Sequence, residues 1–152
     1  MDLPLPPDFK EFLRLLDSEK IEYLLVGGYA VAFYGYPRPT GDLDVWIATS
    51  PRNATRMVDA LSKFGFAGAG ATTELFQTAD RVIRMGVPPV RIEVLTSISG
   101  VRFDECFDRR NIATIDGVSV SVISRQDLLT NKRAAARDKD LADLAQLESD
   151  NA

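Results

Sequence analysis

The stretch Asp42-Leu43-Asp44-Val45-Trp46-Ile47 constrains the fold more than any other part of the chain. Side chains alternate across a β-strand, so Leu43, Val45 and Ile47 share one face while Asp42, Asp44 and Trp46 share the other. The first face needs an apolar layer against it. The second must stay open, because two neighbouring carboxylates repel each other. Aspartate is also a poor strand residue, so two in one short strand need a reason. A cation between them supplies it, and hard oxygen ligands on so short a spacing suit Mg2+ or Mn2+. The plainer reading is a solvated edge carrying two ordinary acids.

Two further stretches bear on that choice. Tyr23-Leu24-Leu25-Val26 is a short apolar run that reads as a buried strand, and it ends at Gly27-Gly28. Residues 29–34 then read as one or two helical turns closed by Gly35. Paired glycines let a backbone approach a ligand closely, and a helix N-terminus offers free N–H groups and a positive dipole end. A phosphate chain suits such a place, although a tight strand-to-helix turn accounts for the same residues. In Arg91-Ile92-Glu93-Val94-Leu95, Ile92 and Val94 face inward and Glu93 outward. Beside the Asp42–Asp44 strand, Glu93 becomes a third carboxylate at one metal; elsewhere it is a solvated glutamate.

The remaining pattern sets the architecture. The first seven residues hold three prolines and read as an extended arm. Asp8 reads as the N-cap of a helix over 8–19, with Glu11 at the capping-box position and Phe9, Phe12, Leu13 and Leu16 on one face. Ser50-Pro51 starts a helix that runs to about Phe64. Residues 66–80 read as loop and short helix. Strands at 81–85 and 90–95 flank a Gly86-Val87-Pro88-Pro89 turn, and residues 102–110 form a short helix. Asp116-Gly117 joins a hairpin. Ser124, with Asp127 at the box position, begins a helical tail over 124–148 that breaks near Arg137-Asp138. Helices and strands interleave early, and strands cluster late. The expectation is an α/β (α+β) domain spanning 1–152, a mixed sheet with helices on one face and a C-terminal helical tail.

Composition narrows the chemistry. The 152 residues include no histidine and one cysteine, Cys106. That removes Ser-His-Asp and Cys-His triads, histidine bases and multi-cysteine metal sites. Acid–base work falls to carboxylates, Lys, Arg, Tyr or hydroxyls. The net charge of −4 weakens the case for a nucleic-acid coat. No basic leader and no apolar run near the ~20 residues of a membrane span are present, so the expected location is the cytoplasm. Neither Gly-x-x-x-x-Gly-Lys-Ser/Thr nor Gly-x-Gly-x-x-Gly occurs.

A glycine turn after a buried strand, an Asp-x-Asp strand and a third acidic strand together resemble the nucleotidyltransferase superfamily, whose fold is shared with DNA polymerase β. The resemblance is carried by Leu25-Val26-Gly27-Gly28-Tyr29-Ala30-Val31 and by Arg38-Pro39-Thr40-Gly41-Asp42-Leu43-Asp44-Val45. The branch it resembles holds abortive-infection toxins and small antibiotic nucleotidyltransferases, and the run 132–140 followed by Asp143 is similar to the tail of that branch. The third acid departs from the pattern, being Glu93 in place of aspartate, and Tyr34 stands where related sequences often carry histidine.

The resemblance implies transfer of an NMP from an NTP to an acceptor hydroxyl, with release of pyrophosphate. Asp42 and Asp44 then hold Mg2+ or Mn2+, and Glu93 completes the metal site as general-base candidate. Gly27 and Gly28 hold phosphates. Arg38, with Thr40 beside it, reaches the triphosphate or is a loop arginine. Lys132 points at the phosphates or belongs to a solvated charge run, while Asp138 and Asp143 pair with Arg133, Arg137 or Lys139 in their own helix. Trp46 stacks on a base or packs in the core. Cys106 reads as an inert small hydrophobe. Acceptor candidates are an RNA 3′ end, a protein hydroxyl and a small molecule, and a cognate antitoxin or toxin is a candidate partner. The rival reading is a non-catalytic nucleotide-binding or toxin–antitoxin module on the same fold.

Overall fold

A computed structural model of the chain describes residues 3–36, 41–66, 71–87 and 89–149. In chain order the elements are α1 (Pro7–Ser18), β1 (Tyr23–Val26), α2 (Gly27–Phe33), β2 (Asp42–Ile47), α3 (Pro51–Phe64), α4 (Thr73–Phe76) and β3 (Val82–Val87). Then come β4 (Val90–Leu95), α5 (Phe103–Asp108), β5 (Asn111–Ile115), β6 (Val118–Val122), α6 (Arg125–Ala135) and α7 (Asp138–Ser149). The strands form one six-stranded mixed sheet in the order β3-β4-β2-β1-β6-β5. This is the α/β class the sequence predicts, with a helical tail.

Register does the positioning. β1 runs antiparallel to β2 and sets Val26 opposite Asp44. β2 runs parallel to β4, with Asp42 opposite Arg91 and Asp44 opposite Glu93. β3 closes antiparallel on β4 and places Arg84 opposite Glu93. The alternation of β2 holds: Leu43, Val45 and Ile47 are fully buried, while Asp42 and Asp44 are only partly so. Ile92 and Val94 repeat the pattern on β4. Helices α1, α2 and α3 interlock through aromatic edges, Phe9 on Tyr29 at 5.7 Å and Phe12 on Phe64 at 5.3 Å. At the far end of β1 and β2, buried Asn53 of α3 bonds the Glu22 N–H and carbonyl and the Ala48 carbonyl at 2.8–3.0 Å. It pins the ends of the two central strands.

Local signals account for most boundaries. Ser50 and Ser124 cap α3 and α6 by accepting from the N–H groups of Asn53 and Asp127. Asp116 and Gly117 both adopt positive φ in the β5–β6 turn. Three expectations need correction. First, α1 begins at Pro7 and no side chain caps it. Proline at the first position already has the helical φ, so Asp8 lies in the first turn and the Asp8–Glu11 box does not form. Second, the arm ends at Pro6, because Pro7 already opens α1, and the arm is docked: Leu5 is buried and its N–H bonds Asp116 Oδ2 at 3.0 Å. Third, β3 continues past Met85 to Val87, because Gly86 takes φ 83° and stays in the ladder. The helical tail breaks at Ala136, whose φ of 53° ends α6.

Candidate active site

Asp42, Asp44 and Glu93 converge. Each offers a carboxylate oxygen, and these oxygens lie within 4.8 Å of one another. The convergence follows from sheet geometry: two acids two residues apart on β2 share a face, and the parallel register sets Glu93 beside Asp44. Crowding shows in the titration of Asp44. Its carboxyl is pushed up from 3.8 to about 7, first by burial, then by the hydrogen bond and charge of Glu93 and the charge of Asp42, with Lys139 pulling the other way. An acid so placed holds a proton near neutrality unless a cation takes its place. The donor set, three carboxylates with oxygens in mutual reach, fits a hard divalent cation.

Gly27 lies against this triad. It adopts φ 66°, and a Cβ there would run into the Asp44 carboxylate. Glycine is therefore required at position 27 twice over, by conformation and by space. Helix α2 starts here with no side-chain cap among the described residues, at the end where an α-helix leaves N–H groups without intrahelical partners.

The triad opens on a cavity of about 890 Å³ between strands β2 and β4 and the α6–α7 junction. Arg84, Arg91, Arg137 and Lys139 bring positive charge to its wall, while Val26, Leu95, Ile98 and Ala135 supply apolar surface. Arg91 grips Asp42 with two hydrogen bonds of 3.1 and 2.9 Å. Arg84 donates to Glu93 at 3.0 Å. A mixed sheet, a glycine turn against an Asp-x-Asp strand, and a cation-rimmed cavity are now all in view. The family described as nucleotidyl transferase of unknown function (DUF2204) matches residues 7–151.

The chain belongs to this nucleotidyl transferase family.

Solved structures agree on the fold. The lincosamide antibiotic adenylyltransferase LnuA, in its lincomycin-bound form, matches with a TM-score of 0.57 at 13% identity, over 95% of this chain and 97% of that one. A Thermotoga maritima protein assigned to the nucleotidyltransferases matches with a TM-score of 0.57 at 12% identity, over 93% and 91%. An antigenic nucleotidyltransferase-like protein from Paracoccidioides brasiliensis matches with a TM-score of 0.50 at 22% identity, over 95% and 78%. No curated protein matches in sequence.

The nucleotidyl transferase fold distributes the expected site residues unevenly. Gly27, Asp42, Asp44, Glu93 and Lys132 line this same cavity. Gly28 is buried one residue inside α2. Arg38 and Thr40 lie outside the described residues.

Lys132 lines the cavity as a wall, and its charge is already answered. The side chain is 5% exposed and its Nζ sits 3.1 Å from Asp140 and 3.2 Å from Asp143, both on α7. Its expected place on phosphate is thus taken by two carboxylates. Asp143 correspondingly pairs with Lys132 across the two helices. Arg137 closes the cluster by donating to Asp140 at 2.6 Å. Burial raises the Asp140 carboxyl, but hydrogen bonds from Arg137 and Lys132 outweigh it and hold the group below the usual carboxylate range.

Trp46 is buried, with Phe103 of α5 edge-on at 5.1 Å, so it packs and cannot meet a base. Cys106 is buried and its thiol is pushed up to about 12, first by burial and then by Asp127, which leaves it unreactive. Arg91 escaped the sequence reading although its signal was present: it lies two residues before Glu93 and so on the same face. Arg84 and Arg137 carried no comparable local signal.

Proposed function

We propose that this nucleotidyl transferase moves an NMP from an NTP to an acceptor hydroxyl, using Mg2+ or Mn2+ held by Asp42, Asp44 and Glu93. The observation that carries the reading is the convergence of these three carboxylates within 4.8 Å at the wall of an open cavity. Bound there, a divalent cation would neutralise triphosphate charge and favour the ionised form of an acceptor hydroxyl. The chain's own groups do the rest by position and charge. The start of α2 at Gly27 and Gly28, together with Arg38, Thr40 and the cavity cations Arg137 and Lys139, orients the triphosphate. Glu93 takes the acceptor proton. The acceptor oxygen forms its bond to the α-phosphorus as the bond to the bridging oxygen breaks, and pyrophosphate leaves.

ATP is one NTP that fits this chemistry, and the acceptor is an RNA 3′ end, a protein hydroxyl or a small molecule. The fold shared with LnuA, a lincosamide antibiotic adenylyltransferase, favours testing small-molecule hydroxyls first. No helix among the described residues is long and apolar enough to cross a membrane. The test incubates the protein with each α-labelled NTP, Mg2+ and a lysate, then follows label into any acceptor. Label transfer that EDTA abolishes and that drops by about 10³ or more in Asp44→Asn is expected. Transfer unaffected by EDTA would overturn the metal, and transfer from no NTP would favour the binding-module reading.

A further inference from the structure

The acid triad is already partly neutralised by arginines on the neighbouring strands. Arg91 faces Asp42 across the β2–β4 register and forms a two-pronged bond with it, 3.1 Å from Nε and 2.9 Å from Nη2. The same Nη2 lies 3.6 Å from Glu93. Arg84 holds that glutamate at 3.0 Å. Arg91 engages both oxygens of Asp42, so a divalent cation entering at about 2.0–2.1 Å competes with the guanidinium for those oxygens and repels it as a like charge. Metal entry therefore weakens these bonds. A freed guanidinium remains on the cavity wall, and its planar fork matches phosphate oxygens as well as carboxylate oxygens.

Resting on the metal reading above, we infer that Arg91, seconded by Arg84, is an exchangeable counterion: it occupies the acid triad while no cation is bound, and transfers to the polyphosphate of the incoming substrate when the cation displaces it. The device has two consequences. It lessens, without abolishing, the repulsion among three crowded carboxylates in the resting protein. It also couples the two ligands, since the metal releases the group that the polyphosphate needs and the polyphosphate removes the metal's competitor. Lys139 is the internal contrast. It lines the same cavity and influences Asp44 through its charge, yet among the described residues no ion pair ties it to the triad.

Calorimetry on EDTA-stripped, dialysed protein distinguishes exchange from simple charge. The probes are Mn2+ alone and inorganic tripolyphosphate in the presence of Mg2+, applied to the wild type, Arg91→Gln and Lys139→Gln. Arg91→Gln is expected to bind Mn2+ at least about fivefold more tightly and tripolyphosphate at least about fivefold more weakly. Lys139→Gln is expected to weaken tripolyphosphate without tightening Mn2+. Should a thermal melt show Arg91→Gln unfolded, Arg84→Gln, at a side chain 58% exposed, makes the same test on Glu93. Equal or weaker Mn2+ binding by the arginine variant overturns the exchange alone, as does an equal tightening in Lys139→Gln. If none of the proteins binds Mn2+, the metal reading itself falls and the exchange falls with it.

Discussion

Two charge clusters line one cavity, and they are built on opposite plans. On β2 and β4, Asp42, Asp44 and Glu93 crowd together with oxygens within 4.8 Å, and Asp44 is pushed up to about 7. On α6 and α7, Lys132 sits between Asp140 and Asp143, and Asp140, with Arg137 as a further partner, is held below its usual range. The tail cluster is closed: its charges alternate, and Asp140 gains from being ionised. The sheet cluster is unfinished, because its acids outnumber what the two arginines can satisfy. Repulsion persists in a fold only where the surrounding structure enforces it, which is the mark of a place that a ligand completes. A closed cluster holds shape. Here it holds the α6–α7 junction and thereby the wall that carries Arg137 and Lys139.

The sharpest way to break this comparison is to neutralise one acid of each kind. Asp140→Asn leaves a buried ammonium short of a partner and should cost roughly 3–5 kcal/mol, measured by urea unfolding in EDTA. Asp44→Asn should cost nothing and raise the midpoint, since it relieves like-charge repulsion. Equal destabilisation by both would show that the two clusters play one structural role.

A smaller effect tests how tightly the glycine turn is fitted to the triad. Gly27→Ala forces a side chain onto φ 66° and against Asp44, at a cost of about 2–3 kcal/mol. In an Asp44→Gly background the clash disappears and only the backbone part, about 1–2 kcal/mol, should remain. A full cost in both backgrounds would mean that the close approach to Asp44 is immaterial.

The smallest expected effect is a pH dependence that this chain shows unusually cleanly. The folded Asp44 carboxyl sits at about 7 against 3.8 when unfolded. Its protonated form therefore stabilises the fold in full below 3.8, and that stability is lost as pH rises through about 7. Asp140 acts in the opposite sense, but only in the acid range below its ordinary value. With no histidine in the chain, no other side chain with an ordinary pKa titrates in this window. Melting in EDTA should fall by a few degrees between pH 5 and 8, on a scale of about 2–4 °C per kcal/mol. Mg2+ should shrink the fall, and Asp44→Asn should abolish it. A pH-independent melting temperature in the wild type would show that Asp44 is not crowded as described.

Local physics alone determined much of this protein. Strand alternation put Asp42 and Asp44 on one face and Leu43, Val45 and Ile47 on the other. The same rule turned Glu93 outward, the glycine pair ended β1, and the serine caps and Asp116-Gly117 set their boundaries. All of these depend on residues within a few positions of one another, so the sequence displays them directly. Tertiary structure decided the partners. Sheet register brought Arg84 and Arg91 onto the acids. Packing of α7 on α6 turned Lys132 from a candidate phosphate ligand into the centre of a buried cluster. Phe103 covered Trp46, and Asp116, 111 residues away, took hold of Leu5. A long charged side chain can reach several partners, and its choice depends on which strands and helices lie alongside. That choice is a property of the assembled fold, because the competing partners come together only when distant elements pack.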